Sequence, residues 1–279
     1  MFFHSLTLGA TIKDMKETRT FFEKSIVKQS SYSNGKKTVQ NISENLIDGI
    51  TKDLFEDDFA KGSGNELNAK FLAIYSSSAL AANNFSIIKK NPFSFQFLDK
   101  SEFQKCNFER QFTTGLGGIP PNIDFVLESS TDVIAFESKY LEHLVKKPAS
   151  FALAYNKNRL PFLSEFWFNL INIYSGELLN LDVAQLIKHA IGLIKYNCSL
   201  GIRKEITLVY IYWVPKNIEL FDTFKHHLDQ LLKFQNILNT QNDIKFKAMK
   251  YDEFWKMYEN TELLKEHFSK VRNRYYIEI

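Results

Sequence analysis

Two acids and a lysine near the middle of this 279-residue chain have the types and spacing of a site that could hold a metal ion. Asp124 lies in a short apolar run at residues 121–128, and Glu137 and Lys139 lie in a second run at residues 133–140. Carboxylates bind hard divalent cations, and an ammonium group beside them can stabilise negative charge on a reacting group. These residues therefore predict metal-assisted chemistry if the fold brings them together.

A β-hairpin is the element that would position these side chains. The two runs alternate apolar and polar residues around the polar turn at residues 129–132, which is typical of two antiparallel strands. Alternation places Asp124, Glu137 and Lys139 on one face and the apolar residues on the other. Opposed acids repel each other, and a divalent cation would neutralise them. A turn centred on residues 130 and 131 predicts three cross-strand pairs: Asp124 with Glu137, Val126 with Ala135, and Glu128 with Val133. From the residues alone, a solvent-facing hairpin with incidental charges explains the pattern equally well.

The order of these residues resembles a known nuclease motif. Asp124 followed by Glu137-Ser138-Lys139 is similar to the Asp…(Asp/Glu)-x-Lys motif of the PD-(D/E)xK nuclease superfamily, with Ile123 replacing the proline that often precedes the first acid. The chain contains three acid-x-Lys tripeptides, and only this one lies in an apolar strand with an acid opposite it. Residues 76–85 also resemble a Ser-Ser-x-Ala-Leu-Ala-x-Asn-x-Phe segment of some bacterial restriction-enzyme-like proteins.

The resemblance implies further members of the site. An acid from the helix before the core sheet often completes the metal site in this superfamily, and Glu66 is the best-placed candidate; a helix N-terminus also favours an acid for electrostatic reasons alone. Gln185 matches a glutamine that several branches carry on the helix after the Glu-x-Lys strand. His189, one turn further, is expected to be a surface or buried structural histidine. The implied ligands of Mg²⁺, for which Mn²⁺ could substitute, are Asp124, Glu137, the Ser138 carbonyl and, through water, Glu66.

Hydrophobic periodicity predicts the surrounding elements. Helices are expected at residues 11–28, 40–60, 64–82, 177–196, 219–238 and 252–270, and further strands at residues 103–114, 206–213 and 244–249. Strands that alternate with helices predict an α/β protein. The expected fold is a three-layer α/β/α restriction-endonuclease-like fold with a central mixed sheet and an N-terminal helical layer. Residues 1–62 are expected to pack as a helical segment on a nuclease core of residues 63–279, which ends in a strand-helix extension, as one compact unit.

Composition allows a nucleic-acid partner without requiring one, because the net charge is only +3. The chain has no apolar run of membrane-spanning length and no signal-peptide pattern at its start, so we predict a cytoplasmic protein without a membrane partner. Its two cysteines form neither a disulfide framework nor a zinc site by themselves.

The polar segment around residues 142–165 has two interpretations. It is either a plain surface connection or a loop that contacts DNA. If it contacts DNA, the contacting residues are Asn156, Lys157, Asn158 and Arg159, with Lys188 on the following helix.

The function that the resemblance implies is Mg²⁺-dependent hydrolysis of phosphodiester bonds in double-stranded DNA, with Lys139 orienting the attacking water. A type II restriction endonuclease is favoured, acting as a homodimer because two strands require two active sites, with a cognate DNA methyltransferase acting separately. Two alternatives remain open. One is a DNA repair or mobile-element nuclease with the same site, and the other is a catalytically silent DNA-binding module on the same fold.

Overall fold

A five-stranded mixed sheet lies at the centre of the protein, in a computed structural model that describes residues 17–62, 67 and 70–279. The central sheet of the described chain has the order β1-β2-β3-β6-β7, and β4 pairs with β5 in a separate ribbon. The strands are β1 (Lys105–Gln111), β2 (Asn122–Glu128), β3 (Asp132–Lys139), β4 (Lys147–Pro148), β5 (Leu178–Leu179), β6 (Glu205–Tyr212) and β7 (Lys245–Lys250). β1, β2 and β3 are antiparallel neighbours, whereas β3, β6 and β7 run parallel. Parallel neighbours require crossover connections, and helices provide them here.

Helices cover both faces of this sheet. Residues 17–29 lie in α1, and the other described helices are α2 (Glu56–Lys61), α3 (Ser77–Lys90), α4 (Glu165–Tyr174), α5 (Val183–Cys198), α6 (Asp222–Leu238), α7 (Tyr251–Met257) and α8 (Glu262–Tyr275). On one face, Phe85 of α3 stacks on Phe125 at a centroid distance of 4.6 Å, and Phe254 of α7 lies 6.4 Å from Phe136. α5 and α6 cover the opposite face. The predicted α/β class, with a central mixed sheet and flanking helices, is confirmed.

The middle of the sheet is buried on both faces. All eight residues of β3 and seven of the eight residues of β6 are buried. β6 is a run of β-branched and aromatic residues, as expected for a strand covered on both sides. β3 differs, because its charged face is packed under α5 and is not open to solvent. The charges on that face must therefore find partners within the protein, since an unpaired buried charge is very costly.

The N-terminal region departs from the predicted helices. Residues 40–60 do not form one helix; they contain two 3₁₀ turns, Ile42–Asn45 and Lys52–Leu54, before α2. The buried Asn45 side chain donates hydrogen bonds to the carbonyls of Phe71 and Ala73, and such side chain–backbone bonds compete with helix formation. Gly49 has a φ of +90°, which turns the chain between the two segments. The predicted boundary between residues 62 and 63 stays a prediction.

Other helix boundaries were also wrong in part. Among the described residues of the helix predicted over 64–82, residues 67 and 70 are π-helical and residues 71–76 are not helical. The α-helix α3 begins only at Ser77, after Ser76, whose side chain accepts a hydrogen bond from the backbone N–H of Ala79. The helix predicted over 252–270 is split into α7 and α8, with Tyr258 between them donating to the Gln96 carbonyl at 2.7 Å. Periodicity gave no prediction for α4. Within the described part of the chain, no helix has the length and apolar character needed to cross a membrane.

Candidate active site

The β2–β3 hairpin has the predicted register. The ladder extends to Phe125 and Phe136 and includes two of the predicted pairs: Val126 with Ala135, and Glu128 with Val133. One residue beyond the ladder, Asp124 Oδ2 accepts a hydrogen bond from the Ser138 backbone N–H at 2.6 Å. Because Phe125 and Phe136 point towards α3, alternation places Asp124 and Glu137 together on the opposite face, under α5. The predicted sharing of one face by the two acids is therefore observed.

Glu137 and Lys139 form a buried ion pair. Lys139 Nζ lies 2.5 Å from Glu137 Oε1, and the two side chains are 9% and 1% exposed. Burial alone would raise the pKa of Glu137, but Lys139 and His189 lower that pKa to about 2. Burial likewise acts against the charged form of Lys139, whereas the carboxylates of Glu137 and Asp124 raise its pKa. Both partners are therefore ionised at neutral pH, which a buried charge achieves only when it is paired.

Helix α5 brings two further side chains to this pair. Its N-cap residue Asp182 accepts a hydrogen bond from the Gln185 backbone N–H at 3.1 Å, which fixes the first turn. The Gln185 side-chain oxygen accepts a hydrogen bond from Lys139 Nζ at 2.9 Å. One turn later, the buried His189 places Nε2 2.9 Å from Glu137 Oε2. Gln185 therefore lies where the resemblance implied, and His189, for which the sequence predicted a structural role, also contacts the site.

Gly192 determines how closely α5 approaches the sheet. A Cβ atom at this position would lie only 2.4 Å from the backbone carbonyl oxygen of Phe112, which follows β1. Glycine is required here because of this close approach, not because of a special backbone angle. Any larger residue would push α5 away from the sheet and would move Gln185 relative to Lys139.

Asp124 lies among like charges. Burial, followed by the nearby carboxylates of Glu137 and Glu109, raises the pKa of Asp124 well above its usual range, and Lys139 and the Ser138 N–H only partly oppose this. Neighbouring carboxylates resist simultaneous ionisation in this way, and added positive charge favours the ionised forms. The electrostatics of the site therefore favour binding of a cation beside Asp124.

Glu109 of β1 is a further acid at this position, and the sequence analysis missed it. The β1–β2 register places Glu109 across from Asp124, between the pairs Phe108–Phe125 and Arg110–Ile123. Glu109 is buried, has a φ of +50°, and accepts a hydrogen bond from the Asn122 side chain at 2.6 Å. A left-handed backbone is unusual for a non-glycine residue and tends to occur at functional sites. No sequence motif indicates Glu109; the pairing of β1 with β2 would have been needed to find it.

Uncharged histidines lie behind the ion pair. Burial and the nearby Lys139 ammonium lower the pKa of His143 to about 3, and burial lowers the pKa of His227 well below its usual range. Their rings lie 4.7 Å apart, and His227 Nε2 is 3.0 Å from the Tyr210 hydroxyl. Both rings are therefore neutral at physiological pH, and neither places a second positive charge beside the Lys139 ammonium.

The donor atoms fit one Mg²⁺ ion held by few protein ligands. Across residues 17–62, 67 and 70–279, no group of three or more His, Cys, Asp or Glu side chains is arranged to hold a metal ion. Mg²⁺ retains several waters and often binds through only one or two carboxylates. Although Glu137 Oε2 is close to His189, it has no hydrogen bond of acceptable geometry, so this buried atom is available as a ligand. Asp124 and Glu137 are the residues that would hold the ion.

The family described as "Restriction Endonuclease associating with ARP" matches residues 8–276. The chain belongs to this family. Membership in a restriction endonuclease family indicates a nuclease role, and the matched range includes all of the side chains described above. A comparison with curated proteins and a comparison with solved structures each gave no match. Assignment to the PD-(D/E)xK superfamily continues to rest on the sequence resemblance.

Two predicted metal ligands of this family member stay predictions. The Ser138 side chain points away from the site, where its hydroxyl forms a hydrogen bond with the Tyr251 hydroxyl at 2.6 Å. Only the Ser138 backbone is on the side of Asp124. Glu66 lies outside the described residues.

The predicted DNA-contacting segment is an exposed loop. Asn156 to Arg159 are exposed, and the Asn156 side chain accepts hydrogen bonds from the backbone N–H groups of Asn158 and Arg159. Lys157 pairs with Glu165 at 3.0 Å on the surface. Lys188 is half-buried on α5, three residues after Gln185. The loop therefore has ordered local structure, and DNA contact by these residues stays a prediction.

Proposed function

We propose that this chain is a Mg²⁺-dependent endonuclease that hydrolyses phosphodiester bonds of double-stranded DNA, and that it acts as a type II restriction endonuclease. The observation that carries the proposal is the buried Glu137–Lys139 pair, which shares one sheet face with Asp124 and receives Gln185 from α5. A buried charged pair is weak evidence for stability, because apolar residues would often stabilise the fold equally well. A functional requirement explains why charged residues occupy this position, and family membership supports a nuclease role.

Each side chain has a distinct role in the proposed reaction. Asp124 and Glu137 would hold Mg²⁺, or Mn²⁺ in its place, and when bound the ion would lower the pKa of a water and offset charge on the phosphate oxygens. Lys139 is kept charged by Glu137 and is oriented by Gln185. Its ammonium positions the attacking water oxygen and stabilises the negative charge that develops on the phosphoryl group. The new P–O bond forms as the bond to the leaving oxygen breaks. The attacking water releases a proton to solvent, and the leaving oxygen takes up a proton from solvent.

The biological setting of the proposal follows from a restriction role. Cleavage of both strands requires two active sites, which supports a homodimer. A restriction enzyme also requires protection of the host DNA, so a separate DNA methyltransferase is an expected partner, and the cytoplasm is the expected location. The exposed loop with Asn156, Lys157, Asn158 and Arg159 is a candidate surface for phosphate and base-edge contacts.

Incubation of the purified protein with unmethylated plasmid DNA and Mg²⁺, with and without EDTA, tests this proposal. Discrete fragments that disappear with EDTA support a site-specific restriction enzyme, and mapping of their ends gives the cleavage positions. A smear of fragments favours a nuclease without sequence specificity, such as a repair or mobile-element enzyme. DNA binding without cleavage at any Mg²⁺ or Mn²⁺ concentration would favour the catalytically silent module instead.

A further inference from the structure

A cavity of about 390 Å³ lies between two loops and helix α5. One loop, residues 113–121, leads into β2 and contributes Ile119 and Pro120. The other, residues 150–155, follows β4 and contributes Phe151 and Tyr155, while Lys188 comes from α5. Cavities of about 300–1,000 Å³ are typical of small-molecule sites, so this volume is sufficient for a single nucleotide.

Lys188 gives this cavity a positive charge. Its Nζ lies 5.6 Å from the ring centre of Phe151 and 5.9 Å from that of Tyr155, so two aromatic rings hold the ammonium group in place. No carboxylate in the described part of the chain lies within ion-pair distance of Lys188, although the residue is half-buried. A partly desolvated ammonium without a carboxylate partner attracts an anion, and the phosphate of a nucleotide is one.

The cavity is close to the candidate active site along two elements. Lys188 is three residues beyond Gln185, or about 5 Å along the helix axis, and Gln185 contacts Lys139. Pro121, which also lines the cavity, precedes Asp124 by three residues, or about 10 Å along an extended strand. Three nucleotides of a DNA strand span about 10 Å of the helix axis. A strand whose phosphodiester lies at Lys139 can therefore place a nearby nucleotide at the cavity.

The walls of the cavity favour a nucleotide that has left the base stack. Ile119 lines the cavity and is 85% exposed; Leu153, on the other loop but outside the cavity lining, is 98% exposed. Proteins that distort DNA insert exposed apolar side chains of this kind between base steps. A paired base is held inside the duplex, whereas a base rotated out of the duplex can enter a cavity on the protein surface.

We propose that this cavity binds one unpaired nucleotide of the substrate DNA, with its phosphate at Lys188 Nζ and its base against the apolar wall formed by Ile119 and Pro120. The proposal rests on the proposed function, since it assumes DNA as the substrate. It adds a specific requirement: the enzyme binds DNA most tightly where one nucleotide near the cleaved bond is extrahelical.

Fluorescence anisotropy with two labelled duplexes tests this proposal. One duplex is fully paired, and the other has the same sequence with one additional unpaired nucleotide. Binding is measured in EDTA, so that cleavage cannot contribute. We expect the wild-type protein to bind the bulged duplex about ten-fold more tightly than the paired one. The additional nucleotide of the bulged duplex is already unpaired, so binding does not have to unstack a paired base. Equal affinity for the two duplexes would overturn the proposal.

Two variants test the cavity itself. Lys188→Met removes the charge, and Ala152→Trp fills the cavity from its wall without altering Lys188. Both variants should reduce the ten-fold preference for the bulged duplex to less than about two-fold. The control is Lys233→Met, which changes an exposed lysine on α6 and should retain the full preference. Thermal melts show which variants are folded, and a folded variant of either kind that keeps the full preference contradicts the proposal.

Mg²⁺-dependent cleavage measured in parallel separates this proposal from the proposed function. Cleavage by a wild-type protein that shows no preference for the bulged duplex overturns the nucleotide site and leaves the nuclease function standing. A preference that is lost in Lys188→Met, in a protein that never cleaves DNA, supports the nucleotide site and overturns the nuclease function.

Discussion

The Glu137–Lys139 pair provides the sharpest test of the site's electrostatics. Lys139→Met leaves Glu137 as a buried carboxylate without its counter-ion, and we expect this change to lower the free energy of unfolding by about 4 kcal/mol. In the native protein, Nζ and Oε1 are 2.5 Å apart and the side chains are 9% and 1% exposed. Two unit charges at this distance attract by about 7 kcal/mol at an effective dielectric constant of about 20. The desolvation of both charges offsets part of that attraction, which leaves about 3–5 kcal/mol for the loss of one partner.

A double-mutant cycle measures this coupling directly. Urea unfolding followed by circular dichroism is compared for the wild type, Glu137→Gln, Lys139→Met and the double variant. Because the double variant contains no unpaired charge of this pair, it should be more stable than Lys139→Met alone, with a coupling of about 3 kcal/mol. The exposed pair of Asp222 and Lys225 on α6 is a matched control that should couple much more weakly. If the changes in unfolding free energy of the two single variants sum to that of the double variant within about 0.5 kcal/mol, the functional buried ion pair is refuted.

Three further predictions concern stability. Asp124→Asn should raise the free energy of unfolding at neutral pH by about 1 kcal/mol, because burial and the neighbouring carboxylates raise the pKa of Asp124 and so oppose its ionisation. This gain should disappear in melts at acid pH, where wild-type Asp124 is protonated in both the folded and the unfolded state. Gly192→Ala should cost about 1–3 kcal/mol in urea unfolding and also slow cleavage, because its Cβ would lie 2.4 Å from a backbone oxygen. Burial acts to raise the pKa of Glu128, but Lys204 and other donors lower this pKa from 4.5 to about 2. The stability that Glu128 contributes is therefore present above pH 4.5 and is lost as pH falls towards 2. Glu128→Gln should make the fall in the free energy of unfolding over this acid range less steep in urea titrations.

Each of these predictions has a contrary outcome. Asp124→Asn that is less stable than the wild type at every pH would show that Asp124 is not held against like charges. Gly192→Ala with unchanged stability and cleavage would show that α5 has room to approach the sheet with a side chain present. An unchanged acid limb in Glu128→Gln would assign the loss of stability at low pH to other carboxylates.

Much of the β2–β3 hairpin could be predicted from the sequence because its determinants are local. Apolar alternation on both sides of a short polar turn fixes the strand register, and the register fixes which side chains share a face. The strong helical pattern after residue 177 likewise located α5, although β5 occupies the first residues of that range. Gln185 was found because the resemblance indicated its helix.

The parts that the sequence did not predict depend on tertiary contacts. Glu109 joins the site only through the pairing of β1 with β2 and through a left-handed backbone, neither of which has a local pattern. The contact of His189 with Glu137 depends on how closely α5 packs, which Gly192 controls. The helix predicted over residues 40–60 failed because the buried Asn45 side chain bonds to backbone about 26 residues away.

The most direct measurement is the initial rate of DNA cleavage by the wild type and by Glu137→Gln at saturating Mg²⁺. Glu259→Gln, which changes an exposed acid after α7, serves as the matched control, and circular dichroism at the assay temperature confirms that all three proteins are folded. We expect the wild type and the control to cleave equally in Mg²⁺ and not at all in EDTA, and Glu137→Gln to be slower by about 100-fold or more. Full activity in folded Glu137→Gln would contradict the assignment of this site.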